Sequence, residues 1–270
     1  MHPIEHLRYV ARAQGADPSS LVEETAHALG SLHFDPSGLV VACRRIVERH
    51  PFTGALWWLC ANVVTSAEPF EAVWELADAI RSDRTGAELA AVLPDEATVV
   101  TIGDPDVIGD GLIRRGDVQV LALDAGYTAT SFVRRLERYD VDVEAVDAGV
   151  AGAAVRSADV VLVEALAADS GRVLVPSGSS TIAAAASAFG TESWIVAGVG
   201  RRLPSGFLDA MVAKVDALAE EVDPWDLDVE VLPTSMFTHV VGPHGKVPMG
   251  PPAIVAECPM AHELLRPSHI

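Results

Sequence analysis

The stretch TVVTIGDPDVIGDGLIRRGDVQVLALDAGYTATSFVRRLERYDVDVEAVD, residues 98–147, decides the fold. It repeats one unit: a short run rich in β-branched residues that ends in a small or acidic residue, then a loop, then a helical pattern. The runs TVVTIGD (98–104), VQVLALD (118–124) and VDVEAVD (141–147) are continued by DVVLVEA (159–165) and SWIVAG (193–198). Strands that alternate with crossover helices build a parallel sheet. Such sheets bind ligands beyond the carboxyl ends of their strands, which here read Gly103-Asp104, Asp124, Asp147, Glu164 and Gly198. The spacing predicts intervening helices in SFVRRLERY (131–139), TIAAAASAF (181–189) and GFLDAMVAKVDALAEEV (206–222). Beyond Pro224, VEVLP, MFTHVVG and AIVAEC are short strand candidates divided by Pro-Gly segments.

Upstream of this unit the period is helical. Leu21, Thr25, Leu29 and Leu32 fall near one helix face, as do Phe70, Val73, Leu76 and Ile80. Asp17-Pro18-Ser19 and Asp35-Pro36-Ser37 read as helix starts, and His50 to Gly54 as a break before a helix carrying Trp57 and Trp58. Those tryptophans read first as packing residues and second as a stacking surface for a ligand. The change of period at Leu93-Pro94-Asp95-Glu96 divides the chain into a helical amino-terminal domain, 1–93, and a Rossmann-like, mainly parallel α/β domain, 94–270.

The chain has 270 residues, half of them apolar, and a formal charge of −19. That charge argues against nucleic acid as a partner, since a phosphate backbone demands a basic face. No run approaches the roughly 20 apolar residues of a membrane span. Three dispersed cysteines, Cys43, Cys60 and Cys258, fit a reducing cytoplasm rather than a disulfide scaffold.

Ser177-Gly178-Ser179-Ser180-Thr181 at the start of a helix supplies hydroxyls and free N–H groups that suit a phosphate or carboxylate; an ordinary helix cap explains it equally well. A second candidate combines Gly103-Asp104-Pro105-Asp106, read with Gly109-Asp110-Gly111 as a glycine-rich turn, and Asp124 at the next strand end. Asp104, Asp124 and Glu164, at strand ends facing one crevice, are the candidate acid/base groups; solvated loop acids or helix caps are the alternative, for Asp104 and Asp147 above all. Arg201 and Arg202 could supply a counter-charge to a phosphate over the same edge. Cys258 and His262, four apart, would share a helix face but lack two further ligands, so no zinc site is expected. No P-loop, GxGxxG, Gly-x-Ser-x-Gly or zincin pattern occurs, and no cofactor is expected.

The segments VVTIGDPDVIGDGLI, VQVLALDAG, VDVEAVDAGVAGAAVRSADVVLVEA, GRVLVPSGSSTIAAAASAFGTESWIVAG and LPTSMFTHVVGPHG together resemble the translation initiation factor 2B alpha/beta/delta family. That family includes methylthioribose-1-phosphate isomerase and ribose-1,5-bisphosphate isomerase. The resemblance covers about residues 98–245 and extends more faintly upstream, where Gly15-Ala16 stands in place of the isomerases' Arg-Gly-Ala turn and His50-Pro51 through Leu56 in place of their Arg-Pro-Thr segment. It implies a helical domain, a Rossmann-like domain and a homodimer built largely through the latter. It also implies a small phosphorylated ligand contacting Gly15, Gly103, Ser177 to Thr181 and Arg201.

The departures fall on the chemistry. Gly103-Asp104 stands where the isomerases carry a catalytic cysteine, Glu164-Ala165-Leu166 where they carry a catalytic aspartate, Val175-Pro176 in place of an Asn-Lys pair, and Gln14 in place of an arginine. Two functions follow. One is a protein that binds a phosphorylated sugar or nucleotide at the strand ends, with Asp104, Asp124 or Glu164 taking over a diverged aldose-ketose isomerisation. The other is a non-catalytic dimeric interaction or regulatory protein of the initiation factor 2B type. A dinucleotide-dependent oxidoreductase is the weakest alternative.

Overall fold

Proline at the first helical position opens α1 (Pro18–Gly30), α2 (Pro36–Arg49) and α4 (Pro69–Arg81), where its missing N–H is one the helix could not have used. The computed structural model describes residues 18–31, 36–124 and 129–266. Gly15 and Leu32 lie outside the described residues. On α1 the predicted face is buried at Leu21, Thr25 and Leu29; the Thr25 hydroxyl donates back to the Leu21 carbonyl at 2.7 Å, so its polar atom enters the core satisfied. On α4, Val73 and Ile80 are buried. Helix α3 (Gly54–Thr65) is apolar almost all round and is the buried centre of the helical layer. Trp57 and Trp58 are core residues there, and both indole N–H groups are used: Trp57 donates to the Pro51 carbonyl at 3.0 Å and Trp58 to that of Glu257 at 3.2 Å.

Helix α5 (Thr85–Val92) leads into the α/β part. There the strands are β1 (Thr98–Ile102), β2 (Gln119–Asp124), β3 (Asp142–Asp147), β4 (Val160–Glu164), β5 (Ala167–Ala168), β6 (Arg172–Pro176), β7 (Glu192–Val196), β8 (Val229–Pro233), β9 (His239–Gly242) and β10 (Gly245–Pro248). The helices are α6 (Asp106–Arg115), α7 (Ala129–Glu137), α8 (Ala151–Ser157), α9 (Ser179–Phe189) and α10 (Ser205–Glu221). The main sheet has the order β10-β9-β7-β4-β1-β2-β3 and is parallel except for β10. Period-two alternation along β1 sorts its two cores. Val99 packs with α5, α6 and α7 through Leu89, Ile108, Leu112 and Phe132, while Val100 and Ile102 pack with α8 and α9 through Val155, Ile182 and Ala186. A third core joins α1 to α4 with α10 and one face of a second sheet. The architecture is therefore a helical amino-terminal layer followed by a Rossmann-like α/β fold.

Two expectations need correction, and a third gains a partner. Gly109-Asp110-Gly111 is not a turn: it lies inside α6, where a Cβ at Gly111 would stand 2.8 Å from Leu89 Cδ2, so glycine lets α5 and α6 approach. AIVAEC forms no strand; its Glu257 N–H donates to the Arg202 carbonyl at 2.9 Å and its side chain pairs with Arg202, so the segment straps the loop after β7. VEVLP is the strand expected, and it pairs antiparallel with β6 in a separate three-stranded sheet, β5-β6-β8, which period alone does not reveal.

Candidate functional site

The strand order reverses at β1. From β1 the chain moves outward through β2 and β3, then returns to β4 on the opposite side of β1. The crevice at the carboxyl ends of β1 and β4 is thus the topological switch point, where open α/β sheets place ligands. A cavity of about 230 Å³ opens beside it, between the helical layer and the sheet edge. Its charged lining comprises Glu23 on α1, Arg81 and Asp83 at the end of α4, Asp106 and Asp110 on α6, and Arg201 after β7.

Glu164 ends β4 and is only 6% exposed. One carboxylate oxygen pairs with Arg201 Nη1 at 2.9 Å, and the other accepts the Ile108 N–H at 3.0 Å in the first turn of α6. Arg201 is itself 4% exposed, and its Nη1 also donates to the Ala165 carbonyl at 2.6 Å. Glu164 therefore closes a helix start and neutralises a buried guanidinium, with both of its oxygens engaged by the chain.

Asp104 accepts the Ser131 hydroxyl at 2.6 Å and pairs with Arg135 at 3.2 Å; Asp106 faces the same guanidinium at 3.5 Å. Asp124 accepts the Ala129 N–H at 3.3 Å. Asp104 and Asp124 thus meet at the start of α7, whereas Glu164 serves the start of α6. The structure does not bring the three acids together as one acid/base set. Asp147 accepts the Gly149 N–H at 2.7 Å and caps the short 3-10 turn after β3.

Gly178 has φ +91°, a left-handed conformation suited to glycine, and a Cβ there would lie 2.7 Å from Ile102 Cδ1. That close approach brings the start of α9 to the end of β1, on the sheet face opposite α6. Three backbone donors and two hydroxyls at this start are occupied by the chain. Ser180 N–H donates to the Glu230 carboxylate of β8 at 2.7 Å, Thr181 N–H to the Gly178 carbonyl at 3.1 Å, and Ser177 N–H to the Asp228 carbonyl at 3.0 Å. The Ser179 hydroxyl donates to the Pro176 carbonyl at 2.6 Å and that of Ser177 to the Leu227 carbonyl. None of Ser177 to Thr181 lines the cavity that holds Arg201.

The loop after β7 repeats the pattern. Val199 N–H donates to Asp83 at 2.9 Å and Gly200 N–H to Glu257 at 3.0 Å. Asp83 also accepts the Thr85 N–H and hydroxyl at 2.9 and 2.6 Å, so one carboxylate caps α5 and holds the sheet loop. Asp83, Glu230 and Glu257 are the loop- and helix-holding carboxylates that the sequence did not disclose. The Asp-x-Thr spacing before α5 signals a cap, but nothing local tells that Val199, 116 positions away, shares it. No thiol replaces the missing cysteine. Cys43 and Cys60 are fully buried in the helical core, and burial, with Cys43 alongside, raises the Cys60 thiol well above its ordinary range. Burial, aided by the Glu257 charge, pushes Cys258 up to about 12. Cys258 and His262 share no helix, since only a short 3-10 turn, His262–Leu265, follows. No group of three or more His, Cys, Asp and Glu among the described residues could hold a metal ion, and no described helix is long and apolar enough to cross a membrane.

No protein-family model matches the sequence, and no curated protein matches it significantly. Solved structures do. The translation initiation factor eIF-2B of Pyrococcus horikoshii OT3 superposes with TM-score 0.77 at 15% identity, covering 94% of this chain and 98% of that one. A chain of the tetrameric eIF2B-beta2-delta2 complex from C. thermophilum gives 0.72 at 13% identity, covering 92% and 90%. eIF2B delta from Chaetomium thermophilum gives 0.64 at 19% identity, covering 89% and 96%. The chain has the fold of the eIF2B subunits along nearly its whole length.

Proposed function

We propose that this protein is a non-catalytic interaction or regulatory protein of the initiation factor 2B type, and that it works as a homodimer. The observation that carries this reading is the closed Glu164–Arg201–Ile108 arrangement, two residues before Leu166, which the sequence resemblance sets opposite the isomerases' acid. An aldose-ketose isomerisation needs a group free to take a proton and a group free to give one. Asp104, Asp124 and Glu164 are each held by helix starts or arginines, and no accessible thiol stands at Gly103. A phosphorylated ligand is disfavoured as well, because carboxylates of the chain already accept one backbone donor at the start of α6, one at the start of α9 and two after β7.

Two further observations support assembly. A solved structure of this fold is a tetrameric complex. The β9-β10 hairpin of this chain borders a groove of about 650 Å³ lined by Val240, Met249, Pro251 and Pro252, with Val247 and Val255 exposed at its rim. A second copy seated there would cover apolar surface of the sheet domain. The free thiols fit a reducing cytoplasm as the place of action.

Light scattering at micromolar concentration should give a dimer mass, and an isomerase assay with ribose 1,5-bisphosphate and methylthioribose 1-phosphate should show no turnover. A monomer would overturn the assembly half. Turnover abolished by Glu164→Gln would overturn the non-catalytic half.

A further inference from the structure

Helix α10 carries an apolar stripe beyond the part of it that is packed. Phe207, Leu208, Met211 and Val215 are buried in the core shared with the helical layer. Leu218 and Val222 continue that face at the same three- and four-residue spacing, yet both are exposed. The end of the stripe, about 10 Å of helix, thus has no cover among the described residues. Three residues further on, Trp225 is 79% exposed, more than any other large apolar side chain described. It stands on the 3-10 turn Pro224–Asp226, which the Asp226 N–H closes on the Asp223 carbonyl at 2.9 Å. The next two residues are tied to the start of α9: the Leu227 carbonyl accepts the Ser177 hydroxyl, and the Asp228 carbonyl accepts the Ser177 N–H at 3.0 Å. The indole is therefore presented on a fixed turn, and a large amphipathic ring held in this way suits the anchor of an interface. Leu218, Val222 and Trp225 line neither the β9-β10 groove nor the cavity at the crevice.

We propose that Leu218, Val222 and Trp225 dock a basic amphipathic helix of a partner protein. An apolar stripe on a helix is covered well by the apolar stripe of a second helix. The rim selects the charge of that partner. Asp216, Glu220, Glu221, Asp223 and Asp226 are exposed around the stripe, and none joins an ion pair among the described residues. Lys214 is the one cation between Ser205 and Asp228. Asp209, nearer the start of α10, pairs with Arg172 at 2.9 Å, so the unpaired acids gather at the uncovered end. A second copy related by a two-fold axis would set these acids against themselves, and a nucleic acid or an anionic membrane would be repelled in the same way. A helix with Lys or Arg beside its apolar stripe complements both the stripe and the rim. This surface goes beyond the homodimer reading and does not depend on it.

Fluorescence titration of the full chain with an amphipathic Leu/Lys peptide of about four helical turns tests the assignment, beside the same residues shuffled so that the leucines share no face. The patterned peptide should bind saturably with a blue shift of the emission, and the shuffled one more weakly. Trp225→Ala should weaken the patterned peptide about thirtyfold, the scale of a truncated anchor. It should leave the melting temperature unchanged, since the ring is exposed. Light scattering should give that variant the mass of wild type, and phosphatidylserine vesicles should leave the wild-type emission unmoved. No saturable binding, equal affinity for the shuffled peptide, or a Trp225→Ala variant that binds as well as wild type would each overturn the proposal. So would a lower mass of that variant, which gives the patch to a second copy, or a blue shift on vesicles, which gives it to a membrane. A monomeric wild type that still binds the patterned peptide would overturn only the homodimer reading, so the two can fail separately.

Discussion

The starts of α6 and α9 flank the same crevice from opposite faces of the sheet, and each is closed by a carboxylate of the chain in a different way. At α6 the carboxylate is Glu164, nearly buried, joined to a buried arginine and fixed at a strand end. At α9 it is Glu230, only half-buried on β8, which reaches Ser180 at 2.7 Å. A helix start is a ready-made anion site, so both could have held a phosphate. The contrast teaches that one closure is part of the core, while the other is a cap that an outside anion could displace.

The largest expected effect follows from breaking the first closure. Glu164→Ala leaves Arg201 buried and unpaired, which should cost about 3–5 kcal/mol in a denaturant titration. Combining Glu164→Leu with Arg201→Met should recover most of that loss, because a well-packed apolar pair avoids the desolvation penalty. If the single variant is as stable as wild type, the pair is not the structural closure described. Next in size, Glu230→Gln should cost about 1 kcal/mol, the usual scale of a lost helix cap. Sulfate should raise the melting temperature of that variant and leave wild type unmoved; equal response in both would erase the difference between the two starts. The smallest effect is expected at α7, where Asp104→Asn weakens a partly exposed pair with Arg135 by at most about 1 kcal/mol, read by thermal melting.

The same contrast explains what was legible in the sequence. The parallel strands from β1 to β4 and β7 were readable because each is a β-branched run whose end meets a turn, a purely local signal. The second sheet was not, since β6 and β8 pair across more than 50 residues and their partners are chosen by packing against α10 and the helical layer. At the site, strand-end acids and the Gly178 helix start were visible as residue types. Their occupancy was not, because Glu230 and Asp83 reach donors far along the chain, and an alternating strand such as VEVLP does not say what its Glu touches. Gly109 and Gly111 misled for a related reason: a glycine-rich pattern reads as a turn unless the helix packed against it is known.

The central claim is that the chain's own carboxylates take up a backbone donor at each helix start beside the crevice, Glu164 at α6 and Glu230 at α9, so that a phosphorylated ligand must compete with them. Calorimetric titration of wild-type protein with ribose 1,5-bisphosphate tests it most directly. The account predicts no saturable heat; saturable heat that is lost when Gly178 is changed to Asp would contradict it.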